Sequence, residues 1–229
     1  MADVVENFKR IEDMLGKVPA RFNIAPGKKP LIVAVSKNHA AEKIIPLLES
    51  GHRIFGENRV QEAHAKWPGL KQKYPGIELH LIGPLQTNKA REALEIFDVI
   101  ETVDREKIAK VLSAELKKIN REIDFLVQVN TGEEPQKAGI APGAADEFIK
   151  FCLHDLRLPV KGLMCIPPVG EPATLHFGLL RKIAERNALG ILSMGMSADF
   201  EIAAAMGATH MRIGSAIFGE RKVDDSMIG

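Results

Sequence analysis

Short apolar runs recur along the chain, and each is followed by a polar turn and then by a segment with apolar residues at helical spacing. Several runs, such as LIVAV and FLVQV, are apolar at consecutive positions. That pattern is typical of strands in a parallel sheet that is covered on both faces. The runs predict eight strands, at residues 31–35, 53–55, 78–82, 99–101, 125–129, 160–164, 190–193 and 210–213.

Helical periodicity fills the segments between these strands. The spacing predicts helices over residues 87–96, 104–118 and 144–153, and one more over residues 4–15, before the first strand. A further helix should follow Lys37, although Pro46 falls inside it. We expect that helix to begin near residue 43 or 44, because the first turn tolerates proline, whose missing N–H needs no intrahelical partner there.

Eight repeats of strand and helix favour a closed (β/α)8 barrel, a TIM barrel of the α/β class, with an extra N-terminal helix. An open doubly wound sheet is the alternative, and it often carries a glycine-rich turn after its first strand. The first strand here ends in Ser36-Lys37-Asn38, without such glycines. We therefore predict one barrel domain over residues 1–229.

The composition excludes several classes of protein. Hydrophobic residues make up 45% of the 229-residue chain, enough for a large core. Lys and Arg total 31 against 30 Asp and Glu, a balance that gives no electrostatic footprint for nucleic acid or an anionic membrane. No apolar run approaches the roughly 20 residues that cross a bilayer. The two cysteines lack CxxC spacing and the N-terminus lacks a secretory signal, so we expect a cytoplasmic protein.

In a barrel of this kind, functional groups collect at the C-terminal ends of the strands. Lys37 follows the first strand, where low-dielectric surroundings would favour a neutral, nucleophilic amine that can form an imine with an aldehyde. The alternative is a solvated lysine at a strand end, which is the commoner situation. Lys37 therefore needs support from the other strand ends.

The last two strands provide that support. They run into SMGMSAD and RIGSAIFG, where glycines such as Gly214 let backbone N–H groups approach an anion and where Ser197 and Ser215 add hydroxyl donors. Barrel enzymes often bind phosphate at these two loops. Serine and glycine also cap ordinary helices, so one such loop would be weak evidence. Two of them beside Lys37 favour a phosphate site.

Arg212 lies within the eighth strand, two residues before Gly214. An inward guanidinium would face a ring held between Lys37 and the phosphate loops. It can donate to a pyridine nitrogen but does not leave that nitrogen protonated, because a guanidinium keeps its own protons. An unprotonated ring is a poor electron sink, which discourages carbanion chemistry. The alternative is an outward arginine paired with a helix carboxylate.

Other residues carry weaker signals. The seven histidines show no metal-ligand spacing, so no metal site is expected. Glu57 and Glu62 are candidate catalytic carboxylates, but negative charge near a helix start explains them equally well. Met194 is foremost a packing residue, although it could also lie against a cofactor ring.

Several longer motifs point to one family, among them AVSKNH, HRIFGENRVQEA, LHLIGPLQTNK, VQVNTGEEPQKAGI and LSMGMSADFEIAAAMGATHMRIGSAIFGER. Through them the chain resembles the pyridoxal phosphate homeostasis proteins from about residue 31 to residue 221. The resemblance implies a barrel like the N-terminal domain of bacterial alanine racemase, with pyridoxal 5′-phosphate held as a Schiff base on Lys37. It assigns Ser197, Gly214 and Ser215 to a phosphate cup and Arg212 to the pyridine nitrogen. It places Asn58 and Met194 near the ring.

The resemblance also implies a role. It predicts a protein that buffers or delivers pyridoxal 5′-phosphate, with pyridoxal-phosphate-dependent apo-enzymes as recipients and no residue assigned to catalysis. We also expect a monomer. A racemase of small amino acids is the alternative. An alanine racemase takes a tyrosine base from a second domain, whereas the single tyrosine here, Tyr74, lies in a segment rich in Lys and Pro. A barrel aldolase that uses Lys37 on a sugar phosphate is a third possibility.

Overall fold

The computed structural model describes residues 3–25 and 27–219. Within these residues eight parallel strands close into a barrel, in which each strand pairs with the next along the chain and β8 pairs with β1. The predicted (β/α)8 barrel of the α/β class is therefore confirmed. The strands are β1 Leu31–Val35, β2 Ile54–Glu57, β3 Glu78–Leu81, β4 Val99–Val103, β5 Asp124–Gln128, β6 Val160–Met164, β7 Ile191–Ser193 and β8 His210–Ile213.

Helices surround the barrel, and the predicted extra N-terminal helix is present as α1. A 3₁₀ turn, Thr87–Lys89, leads into α4, and a second one, Pro142–Ala144, leads into α6. A π-helical turn, Phe151–Asp155, continues α6. The helices are α1 Val4–Arg21, α2 Ala41–Glu49, α3 Val60–Lys73, α4 Ala90–Ile96, α5 Glu106–Leu116, α6 Ala145–Lys150, α7 Ala173–Arg186, α8 Phe200–Ala205 and α9 Ser215–Phe218.

The helix after Lys37 departs from the prediction. It begins at Ala41 rather than at residue 43 or 44, so Pro46 lies in its second turn. Because proline has no N–H, the carbonyl of Glu42 loses its helical partner at Pro46. Both residues are exposed, so this carbonyl faces water and the proline is tolerated.

The first helix is longer than predicted, because its apolar face does not end at residue 15. Val4, Phe8, Ile11, Leu15 and Val18 are all buried along one side of α1, at the spacing that a helix requires. That one domain spans residues 1–229 stays a prediction, since residues 1–2, 26 and 220–229, and with them the end of the family resemblance, lie outside the described residues.

The core has an apolar outer layer and a mixed interior. Between the strands and the helices, large side chains such as Trp67, Phe55 and Phe177 are fully buried. Inside the barrel, Val99, Leu126 and Met164 form a small separate apolar cluster, and Val99 is the register partner of His80 on β3. Among residues 3–25 and 27–219, no helix combines the length and the apolar character needed to span a bilayer.

Candidate functional site

A cavity of about 570 Å³ opens at the C-terminal ends of β1, β2, β7 and β8. Parallel strands place their C-terminal ends on the same face of a barrel, so residues far apart in sequence meet there. This cavity brings together six of the seven residues that the sequence assigns to a cofactor. They are Lys37, Asn58, Ser197, Arg212, Gly214 and Ser215.

The structure does not bring Met194 to the cavity. Its side chain is fully buried in the outer apolar core. The hydroxyl of Ser193 points into the barrel, where Arg212 contacts it, and successive residues of a strand point to opposite faces. Met194 therefore faces the helices, and Met196 and Ile166 line the cavity instead.

Lys37 sits in the turn that follows β1. Ser36, immediately before it, is fully buried and continues the ladder by donating its N–H to the carbonyl of Gly56 at 3.0 Å. Asn38, immediately after it, has a left-handed backbone with φ of 61°. Asparagine is among the few side chains that adopt this conformation readily, so the turn reverses direction at Asn38 and leaves Lys37 at the cavity edge.

The loops after β7 and β8 form a compact wall on the side of the cavity that holds Ser197, Gly214 and Ser215. They are joined by a hydrogen bond from the N–H of Ala216 to Oγ of Ser197 at 3.2 Å. A Cβ added at Gly214 would lie 3.3 Å from Cβ of Val35, which is tighter than an ordinary contact. The wall therefore depends on the absence of a side chain at Gly214, as a cup that brings backbone close to an anion requires.

Arg212 points into the barrel rather than toward the helices. Its Nη1 donates to Oγ of Ser193 at 2.7 Å and its Nη2 donates to the carbonyl of Cys165 at 2.8 Å. Its nearest carboxylate is Glu101 on β4, at 3.8 Å, and β4 and β8 are not neighbouring strands. The pair therefore meets across the barrel interior, and Arg212 forms part of the cavity floor while being only 4% exposed.

A buried ionic network lies behind Arg212. Glu101 accepts from Oγ of Ser193 at 2.5 Å and lies 2.7 Å from Nδ1 of His80, whose Nε2 lies 2.8 Å from Glu78. Burial alone would lower the pKa of His80, but hydrogen bonds and charge from Glu101 and Glu78 outweigh it and raise that pKa to about 9. His80 is therefore an imidazolium at neutral pH.

Sequence reasoning missed this network, because it considered the histidines only as metal ligands. A signal was present: Glu101 and Arg212 are the charged residues within the buried strands VIETV and HMRI, and His80 stands inside ELHL. A charge in the middle of a fully buried strand needs a partner. In a closed barrel that partner comes from another strand.

The chemistry of the cavity is that of an amine facing an anion-binding wall over a cationic floor. The cavity has room for one small phosphorylated aldehyde, and Lys37, Ser197, Gly214 and Ser215 all line it. Arg212 offers N–H donors to a ring between them. Within the described residues, no group of three or more His, Cys, Asp or Glu side chains is placed to hold a metal ion.

Comparisons with known proteins show the family to which the chain belongs. The family described as alanine racemase, N-terminal domain, matches residues 20–222 of the chain. A pyridoxal phosphate homeostasis protein of Escherichia coli (strain K12) is 37% identical over 234 aligned residues, which cover 96% of this chain and 98% of the relative. A protein of the same name from Aquifex aeolicus (strain VF5) is 38% identical over 200 residues, which cover 83% and 87%.

Solved structures give the same picture. PipY of Synechococcus elongatus PCC7942, solved with PLP bound, superposes with a TM-score of 0.76 at 33% identity, covering 90% of this chain and all of PipY. An alanine racemase of Clostridium difficile 630 superposes with a TM-score of 0.73 at 15% identity. That match covers 98% of this chain but 58% of the racemase, so it bears on the barrel fold alone.

Proposed function

Because the chain belongs to the alanine racemase N-terminal domain family, and within it to the pyridoxal phosphate homeostasis proteins, we propose that it binds pyridoxal 5′-phosphate and takes part in the homeostasis of this cofactor. The observation that carries the proposal is that Lys37, Ser197, Gly214 and Ser215 line one cavity. The cofactor, when bound, supplies an aldehyde that a lysine amine holds as an imine with release of one water, and a phosphate that needs N–H and O–H donors.

Each part of the cavity has a task in this proposal. Lys37 is the residue that holds the aldehyde carbon. Ser197, Ser215 and the backbone at Gly214 hold the phosphate, while Arg212 donates to the pyridine nitrogen. Asn58, which follows β2, lines the cavity and would border the ring.

The proposal is a cofactor-holding role rather than turnover of amino acids, and two features support it. Arg212 is held by Ser193 and lies near Glu101. Because a guanidinium keeps its own protons, it would donate to a ring nitrogen and leave that nitrogen unprotonated, which makes the ring a weak electron sink. Tyr74 follows the far end of α3, a helix of 14 residues or about 21 Å, where its hydroxyl donates to Glu49. It is thus not a base for the cavity.

We further propose that the protein is cytoplasmic and monomeric, and that it hands the cofactor to pyridoxal-phosphate-dependent apo-enzymes. The composition is balanced, with 31 basic and 30 acidic residues. Such a balance fits a protein partner rather than a membrane surface or nucleic acid, which attract proteins with an excess of positive charge.

The proposal is tested with the Lys37→Ala variant. The wild-type protein incubated with pyridoxal 5′-phosphate should gain a visible absorption band, and borohydride should fix the cofactor on the chain, as intact mass and a peptide map would show. Lys37→Ala should lose both signals, because it lacks the amine. Lys89→Ala is the matched control, since Lys89 follows β3 on the same face of the barrel but pairs with Glu92.

The proposal fails if borohydride fixes the cofactor on the wild type at residues other than Lys37, or not at all. The racemase alternative is examined in the same preparation by incubating it with alanine in deuterated water. Exchange of the α-hydrogen at rates typical of enzymes, about 1 s⁻¹ or faster, would replace the homeostasis role with a catalytic one.

A further inference from the structure

The two glutamates of the sequence GENRVQE have no role in the cavity described above. Glu57 ends β2 and is fully buried, outside the cavity lining. Glu62 lies in the first turn of α3 and borders a smaller space of about 150 Å³ next to Lys37. Neither catalysis nor the charge of a helix start accounts for a carboxylate that is completely buried at the end of a strand.

Lys66 joins both glutamates to the turn that carries Lys37. Its Nζ donates to Oε1 of Glu57 at 2.8 Å, to Oε1 of Glu62 at 3.0 Å and to the carbonyl of Ser36 at 2.9 Å. An ammonium has three N–H donors, so these three acceptors use its full capacity. The Lys66 side chain is only 8% exposed, which makes this a buried ionic cluster.

The cluster holds both residues that flank Lys37. On one side, Oγ of Ser36 donates to Oε1 of Glu57 at 2.7 Å, in addition to the bond from Lys66 to the Ser36 carbonyl. On the other side, the backbone N–H of Asn38 donates to Oε1 of Glu62 at 2.6 Å. The turn is therefore fixed to α3 both immediately before and immediately after Lys37.

The charges in this cluster are placed at a cost in stability. Glu57 directs Oε1 at three donors, from Ser36, Lys66 and Trp67, while its buried Oε2 has no hydrogen-bond partner among the described residues. Burial raises the pKa of Glu57 against the opposing effect of Lys66. Replacing such a buried pair by apolar residues is often neutral or stabilising, so stability alone does not explain it.

We propose that Glu57, Glu62 and Lys66 form a positioning cluster that fixes the 36–38 turn and thereby aims the Lys37 amine into the cavity. The proposal rests on the proposed function, since the amine needs a direction only if it meets an aldehyde. Asn38 adopts a left-handed backbone, a conformation that asparagine tolerates but that is not its commonest one. Without the bond from its N–H to Glu62, the turn would relax and Lys37 would sample orientations that do not reach the aldehyde.

The test compares variants of Glu62 and Lys66 in the apo-protein. Glu62→Ala removes the acceptor for the Asn38 N–H, Glu62→Gln keeps a side-chain oxygen at that place, and Lys66→Met keeps the length of the side chain but removes its donors. Lys71→Met is the matched control, because Lys71 lies on the same helix and makes a comparable ion pair with Asp98 at 2.6 Å and a bond to the carbonyl of Ile96.

Two quantities are measured after mixing with pyridoxal 5′-phosphate: the rate constant for appearance of the borohydride-reducible adduct, and the midpoint of thermal unfolding of the apo-protein. We expect Glu62→Ala and Lys66→Met to slow adduct formation about tenfold or more, because the amine is no longer held in an attacking orientation. Glu62→Gln should recover most of the rate. Lys71→Met should lower the midpoint but keep the wild-type rate.

The positioning role is overturned if Glu62→Ala forms the adduct within about twofold of the wild-type rate, or if Lys71→Met slows it as much as Lys66→Met does. A wild type that forms no adduct would instead overturn the proposed function. If Lys66→Met does not fold, the comparison of Glu62→Ala with Glu62→Gln decides the matter, because Glu62 is partly exposed and its loss removes no buried charge.

Discussion

A single ionised histidine links the barrel interior to the cavity floor. His80 lies between Glu78 and Glu101, and Glu101 in turn holds Ser193 and lies near Arg212. His80 and Arg212 are both positive, and the negative charge of Glu101 between them offsets their mutual repulsion inside the barrel. Without it, the guanidinium of the floor would face an imidazolium with no charge between them.

The pH dependence of stability follows from this arrangement. The pKa of His80 is about 9 in the folded protein and 6.5 in the unfolded chain, so its contribution is complete below pH 6.5 and is lost as the pH rises to 9. We expect the free energy of unfolding to fall by on the order of 3 kcal/mol across that window. Urea unfolding at several pH values measures it.

His80→Gln is the comparison for that measurement. It removes the titrating group facing Glu78, Glu101 and the neighbouring His210 ring at 5.9 Å, so the variant should lose most of the fall in stability between pH 6.5 and 9. The fall is measured within each protein, because the variant is also less stable overall. An equal fall in both proteins would assign it to other groups.

At the scale of single residues, the sequence predicts which residues lie at the strand ends better than it predicts which way their side chains point. Lys37, Gly214 and Ser215 could be assigned to one cavity, because each follows a strand and strand ends of a barrel meet on one face. Met194 and Met196 both follow within three residues of the end of β7. Which of the two lines the cavity depends on the alternation of that strand and on the turn at Gly195, whose φ is 91°.

At the scale of elements, strands were predicted more closely than helices. Buried parallel strands leave a dense apolar signal, and the described strands differ from the predicted ones by at most two residues at an end. The start of α2 carried no such signal, because Ala40 precedes it and provides no side-chain cap. Where neither cap nor apolar run marks a boundary, only the packing of Ile44, Leu47 and Leu48 against the barrel sets it.

The position of Pro46 predicts that a substitution in α2 can raise the free energy of unfolding. Pro46→Ala should restore the hydrogen bond from residue 46 to the carbonyl of Glu42. Proline inside a helix costs about 3 kcal/mol relative to alanine, and its stiffening of the unfolded chain returns about 1 kcal/mol of that. Because α2 already tolerates the proline at a water-facing position, we expect a net gain of about 1 kcal/mol in the free energy of unfolding.

Urea unfolding at constant pH measures this gain. Pro172→Ala is the control, because Pro172 precedes α7 as its N-cap and interrupts no helical hydrogen bond. That variant should be neutral or slightly destabilised through the loss of proline in the unfolded chain. A Pro46→Ala variant no more stable than Pro172→Ala would mean that the second turn of α2 is already relaxed around the proline.

At the scale of the whole molecule, α1 acts as a brace across the seam where β8 meets β1. It packs against α2, α8 and α9, which belong to both ends of the chain. Near its start, Nδ2 of Asn7 donates to the carbonyl of Ile217 in α9 at 3.0 Å, and at its end Arg21 pairs with Glu201 of α8 at 2.6 Å. The extra helix is thus connected to the loop that carries Gly214 and Ser215.

This connection predicts that a residue remote from the cavity affects binding of the cofactor. Asn7→Ala removes the bond to α9, a contribution of about 1 kcal/mol, and α9 begins at Ser215 in the proposed phosphate cup. We expect the dissociation constant for pyridoxal 5′-phosphate, measured by absorption titration, to rise about threefold. The rise should appear mainly as faster release, because the amine and its surroundings are untouched.

Arg21→Ala is the control that separates bracing from a general loss of stability. It also removes a contact of α1, but at the other end of the helix, where Arg21 bonds to Glu201 of α8. An exposed ion pair contributes little, about 1 kcal/mol or less, so this variant should keep the wild-type dissociation constant. Equal affinity in Asn7→Ala and the wild type would show that packing of Ile217 and Phe218 alone holds α9 in place. In that case α1 would stabilise the junction of β8 and β1 without affecting the cavity.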